Sequence, residues 1–351
     1  MLVVKTKHMK ALVLKHLTDL KENTHPLQMM DLPVPQAAAG EILIKISACG
    51  VCHTELDEIE GRTPPTKLPC IPGHQIIGFV VDCGEKVIKF TVGDRVGVGW
   101  INHACGRCRY CLSGMENLCR DFQATGRDAP GGYAEFVTVA EKFAFAVPDI
   151  FTDVQAAPLL CAGAIGYRSL QLARLSDGAS LGLTGFGASA HLVLKMIRHL
   201  YPRTQVFVFA RSESERRFAR ELGAVWAGDI AAACPRKLFA IIDTTPVWRP
   251  VLEALQNLEP AGRLVINAIR KENSDKEYLL HLDYQKHLWQ EKEIKSVANV
   301  TRQDIEKFLD IAAHMNLIPE VEEYPLAEAN RALAELKAGK IRGAKVLKIG
   351  Q

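Results

Sequence analysis

Four closely spaced cysteines constrain this chain more than any other feature of its sequence. The segment CGRCRYCLSGMENLC has the pattern C-x2-C-x2-C-x7-C, and its members are Cys105, Cys108, Cys111 and Cys119. Four thiolates on a tight loop suit tetrahedral zinc, and a closed shell of four sulfurs leaves no position open for chemistry. Iron–sulfur proteins also use C-x2-C-x2-C runs, but those usually continue with C-x3-C-P, which is absent here. The pattern therefore predicts a structural zinc site, with an iron–sulfur cluster or unrelated buried cysteines as alternatives.

Composition bears on the compartment and on the partners. The chain has 351 residues, of which ten are cysteines, a number that would suggest disulfides in an oxidising compartment. The opening MLVVKTKHMK is too short and too soon polar for a secretory signal, and no apolar run approaches the roughly 18 residues that cross a bilayer. The net charge of +3 gives no reason to expect a nucleic acid or a membrane as partner. We therefore expect a cytoplasmic protein whose cysteines bind metal.

The pattern of apolar residues changes near residue 150. Before it, short β-branched segments such as 41–47 and 76–82 alternate with glycine and proline turns, which predicts β-strands. After it, strand-like segments at 180–184, 205–210, 239–243 and 263–268 alternate with helical ones, which predicts a doubly wound parallel sheet.

Capping signals set the expected helix limits. Thr152 and Gln155 predict a capping box that opens a helix running to about Ala173, and Ser212 and Glu215 predict another. The last part of the chain reads as a helix, a short strand, a helix at 326–338 and a final strand, AKVLKI. Two domains are expected, the second inserted in the first.

A second set of metal ligands would have to be gathered from distant segments. Cys52 follows a predicted strand in GVCHTEL, His74 follows a proline turn in PGHQIIG, and Cys161 lies in LLCAG on the predicted helix. Two thiolates and one imidazole would leave the fourth position of a zinc ion open for water or substrate, as in catalytic zinc sites. Judged by spacing alone, each residue is more often structural, because a buried cysteine behaves as a small hydrophobe.

The segment TGFGASA favours a dinucleotide site. Gly185, Gly187, Ala188 and Ala190 carry a G-x-G-x-x-A pattern between an apolar strand and a helix. The glycines permit a tight turn and a close approach to pyrophosphate, while the helix N-terminus supplies amide donors. So short a motif also occurs in turns without a ligand, but the strand–turn–helix context favours coenzyme binding.

The end of the next strand bears on which coenzyme binds. It carries Arg211 and Ser212, with no acidic residue before Glu213. An arginine and a hydroxyl at this corner suit a 2′-phosphate and favour NADP(H) over NAD(H), because a ribose 2′-hydroxyl is usually held by an acid. The alternative is that Arg211 merely faces solvent at the start of a helix.

Together these motifs resemble the zinc-containing medium-chain alcohol dehydrogenases, particularly the bacterial branch related to cinnamyl alcohol dehydrogenases. From Lys10 to Ile349 they occur in the order of that family: GVCHTEL, PGHQIIG, GDRVGV, the four-cysteine segment, GGYAEF, LLCAG, GFGASAH and IRGAKVL. The resemblance implies an α/β plus β fold. A GroES-like catalytic domain would comprise residues 1–158 and 297–351, and a Rossmann domain, a doubly wound parallel sheet, would occupy 159–296. It also implies a homo-dimer or a homo-tetramer.

The resemblance assigns the catalytic zinc to Cys52, His74 and Cys161. It makes Thr54 the hydroxyl that passes on the alcohol proton, while zinc polarises the substrate oxygen and a hydride moves between the carbinol carbon and the nicotinamide. It places His53 and Arg342 near the coenzyme pyrophosphate and Trp100 in the substrate pocket.

The chain departs from the family in two places. Many members have Glu directly after the histidine ligand, where this chain has Gln75, so a negative charge near zinc is lost. The family often has Asp at the position of Glu55, and some members have a relay His at that of Asp57. We expect Glu55 to hydrogen-bond the imidazole of His74.

The activity implied by the resemblance is that of a zinc-dependent alcohol dehydrogenase or aldehyde reductase. It would transfer a hydride between a small primary or secondary alcohol and NAD(P), with NADP(H) favoured and flux tilted towards aldehyde reduction. Alternatives are a polyol or formaldehyde dehydrogenase on the same scaffold and a non-catalytic NADPH-binding sensor. A sensor would need no open zinc site, and the presence of three candidate ligands argues against it.

Overall fold

The computed structural model describes residues 7–339 and 343–350, except for the side chain of Ala188. Contacts divide the chain into two units. The first comprises Met1–Cys161 and Thr301–Gln351, and the second is Ala162–Val300. In the described part of the chain, no helix has the length and apolar character needed to span a bilayer.

Strands predominate up to Ala146, and helices and strands largely alternate after it. The strands are β1 (His8–Leu14), β2 (Leu27–Pro33), β3 (Glu41–Val51), β4 (Ile76–Cys83), β5 (Arg95–Val98), β6 (Ile101–His103), β7 (Gln123–Ala124), β8 (Phe136–Ala140), β9 (Ala144–Ala146), β10 (Ser180–Thr184), β11 (Gln205–Phe209), β12 (Trp226–Gly228), β13 (Leu238–Asp243), β14 (Leu258–Ile266), β15 (Glu293–Ser296), β16 (Val321–Pro325) and β17 (Ala344–Lys348). The helices are α1 (His53–Ile59), α2 (Arg109–Leu112), α3 (Asp153–Ala156), α4 (Ala162–Ala173), α5 (Ala188–Leu200), α6 (Glu213–Glu221), α7 (Arg249–Asn257), α8 (Tyr284–His287), α9 (Arg302–His314) and α10 (Ala329–Lys337).

The second unit is built on a parallel sheet. Its strands run in the order β12-β11-β10-β13-β14-β15, and every neighbouring pair is parallel. β10 is buried at all five residues, and β13 is buried at five of six, as expected for strands covered on both faces. The predicted doubly wound sheet is confirmed. In this order the chain reverses direction across the sheet between β10 and β13, and ligands of such sheets bind at that point.

The first unit is built on a mixed sheet with β3 at its centre. Its path is β16-β17-β3-β4-β5-β9, and β8 also pairs with β3. β3 contributes Ile42, Ile44 and Ile46 to the core, each no more than 1% exposed. β17 pairs antiparallel with β3, so that Lys345 lies opposite Val51. The late segment of the chain therefore completes a sheet begun by the early segment.

The helix predicted from Thr152 to about Ala173 is wrong in one respect. The capping box is present: the Thr152 hydroxyl accepts a hydrogen bond from the Gln155 N–H at 3.4 Å. α3, however, ends at Ala156 and is followed by a tight 3-10 turn that contains Pro158, a residue without an N–H to continue an α-helix. Cys161 then has φ −126° and ψ −79°, outside the helical region. Two helices therefore replace one, and Cys161 lies at the break. The helix predicted at 326–338 likewise begins with a 3-10 turn, and α10 covers only Ala329–Lys337.

A buried lysine ties the late elements of the first unit together. The Lys345 side chain is 1% exposed, and its Nζ lies 2.7 Å from Glu322 Oε2, 2.5 Å from Tyr324 Oη and 2.8 Å from Glu335 Oε2. The hydrogen bond from Lys345 lowers the pKa of Glu335 to about 2. The lysine thus links β17 to β16 and to α10.

We expect Lys345→Met to lower the melting temperature by about 3–10 °C, because the change leaves a buried hydroxyl and two carboxylates without their shared donor. The stabilisation by the Glu335 carboxylate is present above its unfolded pKa of about 4.3 and is lost as the pH falls towards about 2. The difference in melting temperature between wild type and variant should therefore narrow below pH 5. Thermal melts at several pH values would measure it. Lys348→Met, at a 39% exposed lysine 3.2 Å from Glu323, is the control, and an equal loss there would contradict the prediction.

Candidate metal and coenzyme sites

Three distant residues converge at one end of β3. Cys52 caps the start of α1, His74 precedes β4, and Cys161 lies at the break before α4. Their sulfur and ring-nitrogen atoms all lie within 4.8 Å of one another. The two sulfurs are 3.9 Å apart, close to the roughly 3.8 Å that separates sulfurs bound to one tetrahedral zinc with bonds of about 2.3 Å. The spacing therefore fits a metal ion with an open fourth position.

Glu55 holds two of these residues in place. Its Oε1 lies 2.6 Å from His74 Nδ1, and its Oε2 accepts a hydrogen bond from the Cys52 N–H at 2.7 Å. Both Glu55 and His74 are at most 1% exposed. Because an ionised carboxylate can only accept, Nδ1 carries the ring proton and Nε2 is left as the ligand atom. The expected hydrogen bond between the imidazole of His74 and Glu55 is confirmed.

The second ring nitrogen of His74 is the strongest indication that these residues bind a metal ion. Nε2 is buried and has no hydrogen-bond partner among the described residues. A buried polar atom without a partner is rare in folded proteins, and this one lies beside two thiols. Two soft sulfurs and an imidazole nitrogen form a donor set that zinc prefers. The residues present therefore fit a zinc ion.

The electrostatics of the site favour a cation. The contact with Cys161 lowers the pKa of the Cys52 thiol well below its ordinary value, and the same contact raises the pKa of Cys161. Burial opposes a charge on His74, but the Glu55 carboxylate raises its pKa well above the usual range. These shifts favour negative charge on Cys52 and positive charge beside it. A divalent metal that bound here would displace protons from its ligands.

The neighbours of the ligands set the proton chemistry that the site can perform. The Thr54 hydroxyl lies 3.6 Å from Cys52 Sγ and its residue is 7% exposed, whereas His53 is exposed on the first turn of α1. Gln75 is 4% exposed and packs against Gly50, where an added Cβ would lie 2.7 Å from the amide. The neutral amide is therefore held in close packing against the backbone of Gly50.

The sequence reasoning missed the burial of Glu58. This residue is 1% exposed, and neither carboxyl oxygen has a hydrogen-bond partner in the described part of the chain. Burial, and then the negative charge of Glu55, raise the pKa of Glu58 well above its ordinary value, which favours the neutral carboxyl. The available signal was its spacing, because residues three apart share a face of a helix, and Glu55 faces inward.

The four-cysteine segment forms a second cluster within the first unit. Its sulfurs all lie within 4.8 Å of one another, and the resolved Sγ–Sγ distances are 3.6 Å and 3.9 Å. All ten cysteines of the chain are free thiols. Backbone N–H groups of Arg107 and Cys108 lower the pKa of Cys105 to about 6, which favours a thiolate there. The distances again match the edge of a tetrahedron of sulfurs around zinc.

The glycine turn of the second unit has the geometry that its motif requires. Gly185 follows β10 with φ +78°, and an added Cβ would lie 2.9 Å from Thr244 Oγ1 and 3.0 Å from Thr245 Cγ2. Around Gly187 the space is open, and α5 begins at the next residue, Ala188. Ala190 is fully buried. The turn thus presents bare backbone and the N-terminus of α5, which suits a pyrophosphate.

Arg211 and Ser212 differ in what they offer a coenzyme. Ser212 caps α6: its hydroxyl accepts from the Glu215 N–H at 3.2 Å and donates to Glu215 Oε2 at 2.9 Å. Arg211 is exposed, and its side chain makes no hydrogen bond or ion pair with any described residue. The Arg211 side chain is thus available to a ligand, whereas the Ser212 hydroxyl is engaged in the cap of α6.

Two further residues were predicted to serve these sites, Trp100 in a substrate pocket and Arg342 near the coenzyme. Trp100 is partly buried, with its ring 5.2 Å from that of Phe122 and 5.1 Å from the guanidinium of Arg127. Its role in a substrate pocket stays a prediction. Arg342 lies outside the described residues.

Comparison with known proteins identifies the family. Residues 38–149 match the alcohol dehydrogenase GroES-like domain. The chain is 43% identical to "Probable alcohol dehydrogenase AdhA" of Mycobacterium tuberculosis (strain CDC 1551 / Oshkosh) over 332 residues, which are 93% of this chain and 94% of the relative. It is 32% identical to an alcohol dehydrogenase of Geobacillus stearothermophilus, over 92% of this chain and 96% of the relative.

A solved structure agrees. The cinnamyl alcohol dehydrogenase SbCAD4 of Sorghum bicolor superimposes with a TM-score of 0.83 at 26% identity, covering 97% of this chain and 98% of that one. Sequence identity, coverage and fold agree: the chain belongs to the alcohol dehydrogenase family that has a GroES-like domain.

Proposed function

We propose that this alcohol dehydrogenase depends on zinc and prefers NADP(H) to NAD(H). The observation that carries the zinc proposal is the convergence of Cys52, His74 and Cys161. The buried Nε2 of His74 lies among them and has no hydrogen-bond partner among the described residues. These residues would hold a catalytic zinc with one open position, and the four-cysteine cluster would hold a structural zinc. When bound, zinc supplies Lewis acidity at the substrate oxygen, and the nicotinamide accepts or donates the hydride.

The protein's own residues orient the reactants and move the proton. Glu55 fixes the ring of His74 so that Nε2 faces the two thiols. The hydroxyl of Thr54, which is 7% exposed, would accept the proton of the alcohol and pass its own hydroxyl proton onward, so that it relays the proton without keeping it. The glycine turn binds the pyrophosphate of the coenzyme, and Arg211 binds the 2′-phosphate.

The proton does not leave by the histidine relay of some family members, because Asp57 stands at that position and accepts a hydrogen bond from Arg62 Nε at 2.6 Å. A small alcohol or aldehyde is the proposed substrate. A homo-dimer or homo-tetramer stays a prediction, and it is supported by β15, an edge strand that is exposed at all four residues.

Metal content tests the assignment of the open site. We expect about two zinc ions per chain, and Cys161→Ser should lose one zinc and nearly all activity while its circular dichroism is retained. Elemental analysis with an alcohol-oxidation assay would measure both. Cys234→Ser is the matched control, since this partly buried cysteine belongs to neither cluster. A single zinc in fully active wild-type protein would refute the assignment.

Coenzyme titrations test the role of Arg211. Arg211→Ala should weaken NADP(H) binding by about 1.5–3 kcal/mol, the scale of a hydrogen bond to a charged group, and should change NAD(H) binding little. Arg217→Ala, at a 72% exposed arginine of α6, is the control and should leave both affinities unchanged. Equal losses for the two coenzymes in Arg211→Ala would show that this residue does not discriminate between them.

Two substitutions at Thr54 separate proton transfer from packing. Thr54→Val keeps the shape but removes the hydroxyl, and it should slow alcohol oxidation by about 10²–10⁴-fold with zinc retained. Thr54→Ser keeps the oxygen and should retain much of the activity. Steady-state rates at saturating coenzyme decide the order, and a Val variant faster than the Ser variant would mean that Thr54 only packs beside Cys52.

A further inference from the structure

A lysine with all three of its protons engaged lies at the carboxyl ends of the strands of the parallel sheet. The Lys271 side chain is 8% exposed, and its Nζ contacts Asp243 Oδ2. It also donates to the backbone carbonyl of Thr245 at 2.8 Å and to that of Val247 at 3.0 Å. A lysine ammonium has three protons, and these three acceptors use them all. Asp243, the last residue of β13, is fully buried.

The loop that Lys271 binds, residues 243–247, packs against the glycine turn. The N–H and the hydroxyl of Thr244 both donate to the carbonyl of Thr184, at 2.9 Å and 3.0 Å. Thr244 and Thr245 are also the residues that an added Cβ on Gly185 would meet. The loop 243–247 therefore forms the wall beside the turn, at the point where the sheet order reverses.

From this arrangement we infer that Lys271 is a positioning residue for the dinucleotide. It holds the loop 243–247 in the one conformation that keeps the glycine turn clear for the pyrophosphate. The inference rests on the proposed coenzyme site. Lys271 acts on the loop beside the glycine turn, whereas the 2′-phosphate that distinguishes NADP from NAD is proposed to bind at Arg211. Its effect on the two coenzymes should therefore be equal.

The energetics of burial explain why an ion pair fixes this loop. Without the ammonium, two partly buried carbonyls lose their donor and the buried Asp243 carboxylate loses its counter-ion. Buried groups without partners cost more than exposed ones, so the loop would shift to find new donors. Because the loop touches the turn, such a shift would narrow or distort the coenzyme site.

The test uses the zinc-loaded full-length enzyme and the substitution Lys271→Met. Titration with NAD(H) and with NADP(H) should show dissociation constants about 10- to 100-fold higher for both, with an unchanged ratio. Zinc content and the KM for the alcohol at saturating coenzyme should not change. Lys271→Arg keeps the charge and should restore part of the affinity. Lys276→Met, at an exposed lysine of the same segment, is the control and should match wild type.

Two results would overturn the inference. One is a Lys271→Met enzyme that melts at a lower temperature but binds both coenzymes as wild type does, since the lysine would then be purely structural. If that variant does not fold, the double substitution Asp243→Asn with Lys271→Met removes both buried charges. We expect it to fold and still to bind both coenzymes weakly, and wild-type affinity in this double variant is the second overturning result.

A wild-type enzyme that prefers NAD(H) would contradict only the proposed coenzyme preference, because Lys271→Met would still weaken the binding of both coenzymes equally.

Discussion

The buried hydrogen bonds of Glu55 are the constraint on which the open metal site depends. The three ligand residues come from three separate elements, and none of those elements by itself fixes a ligand direction. One carboxylate binds the ring of His74 through one oxygen and the backbone of Cys52 through the other. The imidazole can neither rotate nor exchange its tautomer without breaking a contact of 2.6 Å in a fully buried place. Burial raises the pKa of Glu55, and these two bonds oppose that effect only in part. What the protein gains is a fixed direction for the two candidate ligands.

The sites of both units share this principle, although they use different chemistry. In the first unit, a buried acid stands behind the metal ligands and orients them. In the second, the buried ammonium of Lys271 stands behind the loop 243–247 and fixes the wall of the glycine turn. In each case the group that sets the geometry is buried, and its interactions are stronger in the protein interior than they would be in water. The atoms that would bind a ligand are left free. Rigid support of this kind reduces the rearrangement needed when a ligand binds.

What the sequence could predict follows from how local each feature is. The four-cysteine cluster, the capping residues Thr152 and Ser212, and the alternating strands of the parallel sheet are set by neighbours in the chain, and the structure contains them all. The open site is not local: Cys52 and Cys161 are 109 positions apart, and only the family resemblance joined them. The sequence predicted no break at Cys161 because the capping signal is followed by an alanine-rich segment, which favours a helix. In the structure, the α-helix ends before Pro158, which lies in a 3-10 turn. The burial of Glu58 and the pairing of Lys271 with Asp243 arise from tertiary packing, which no periodicity reveals.

The pairing of β17 with β3 has a consequence for how the chain is made. During synthesis, the edge of β3 from Ala48 to Val51 emerges long before its partner strand, with the whole second unit in between. At about 5–20 residues per second, the interval before Ala344 emerges is roughly 15–60 s. The four-cysteine segment needs no such delay, since its ligands close over a few turns of chain. The four-cysteine cluster can therefore form early, while this edge of β3 stays unpaired and open to other chains until β17 has emerged.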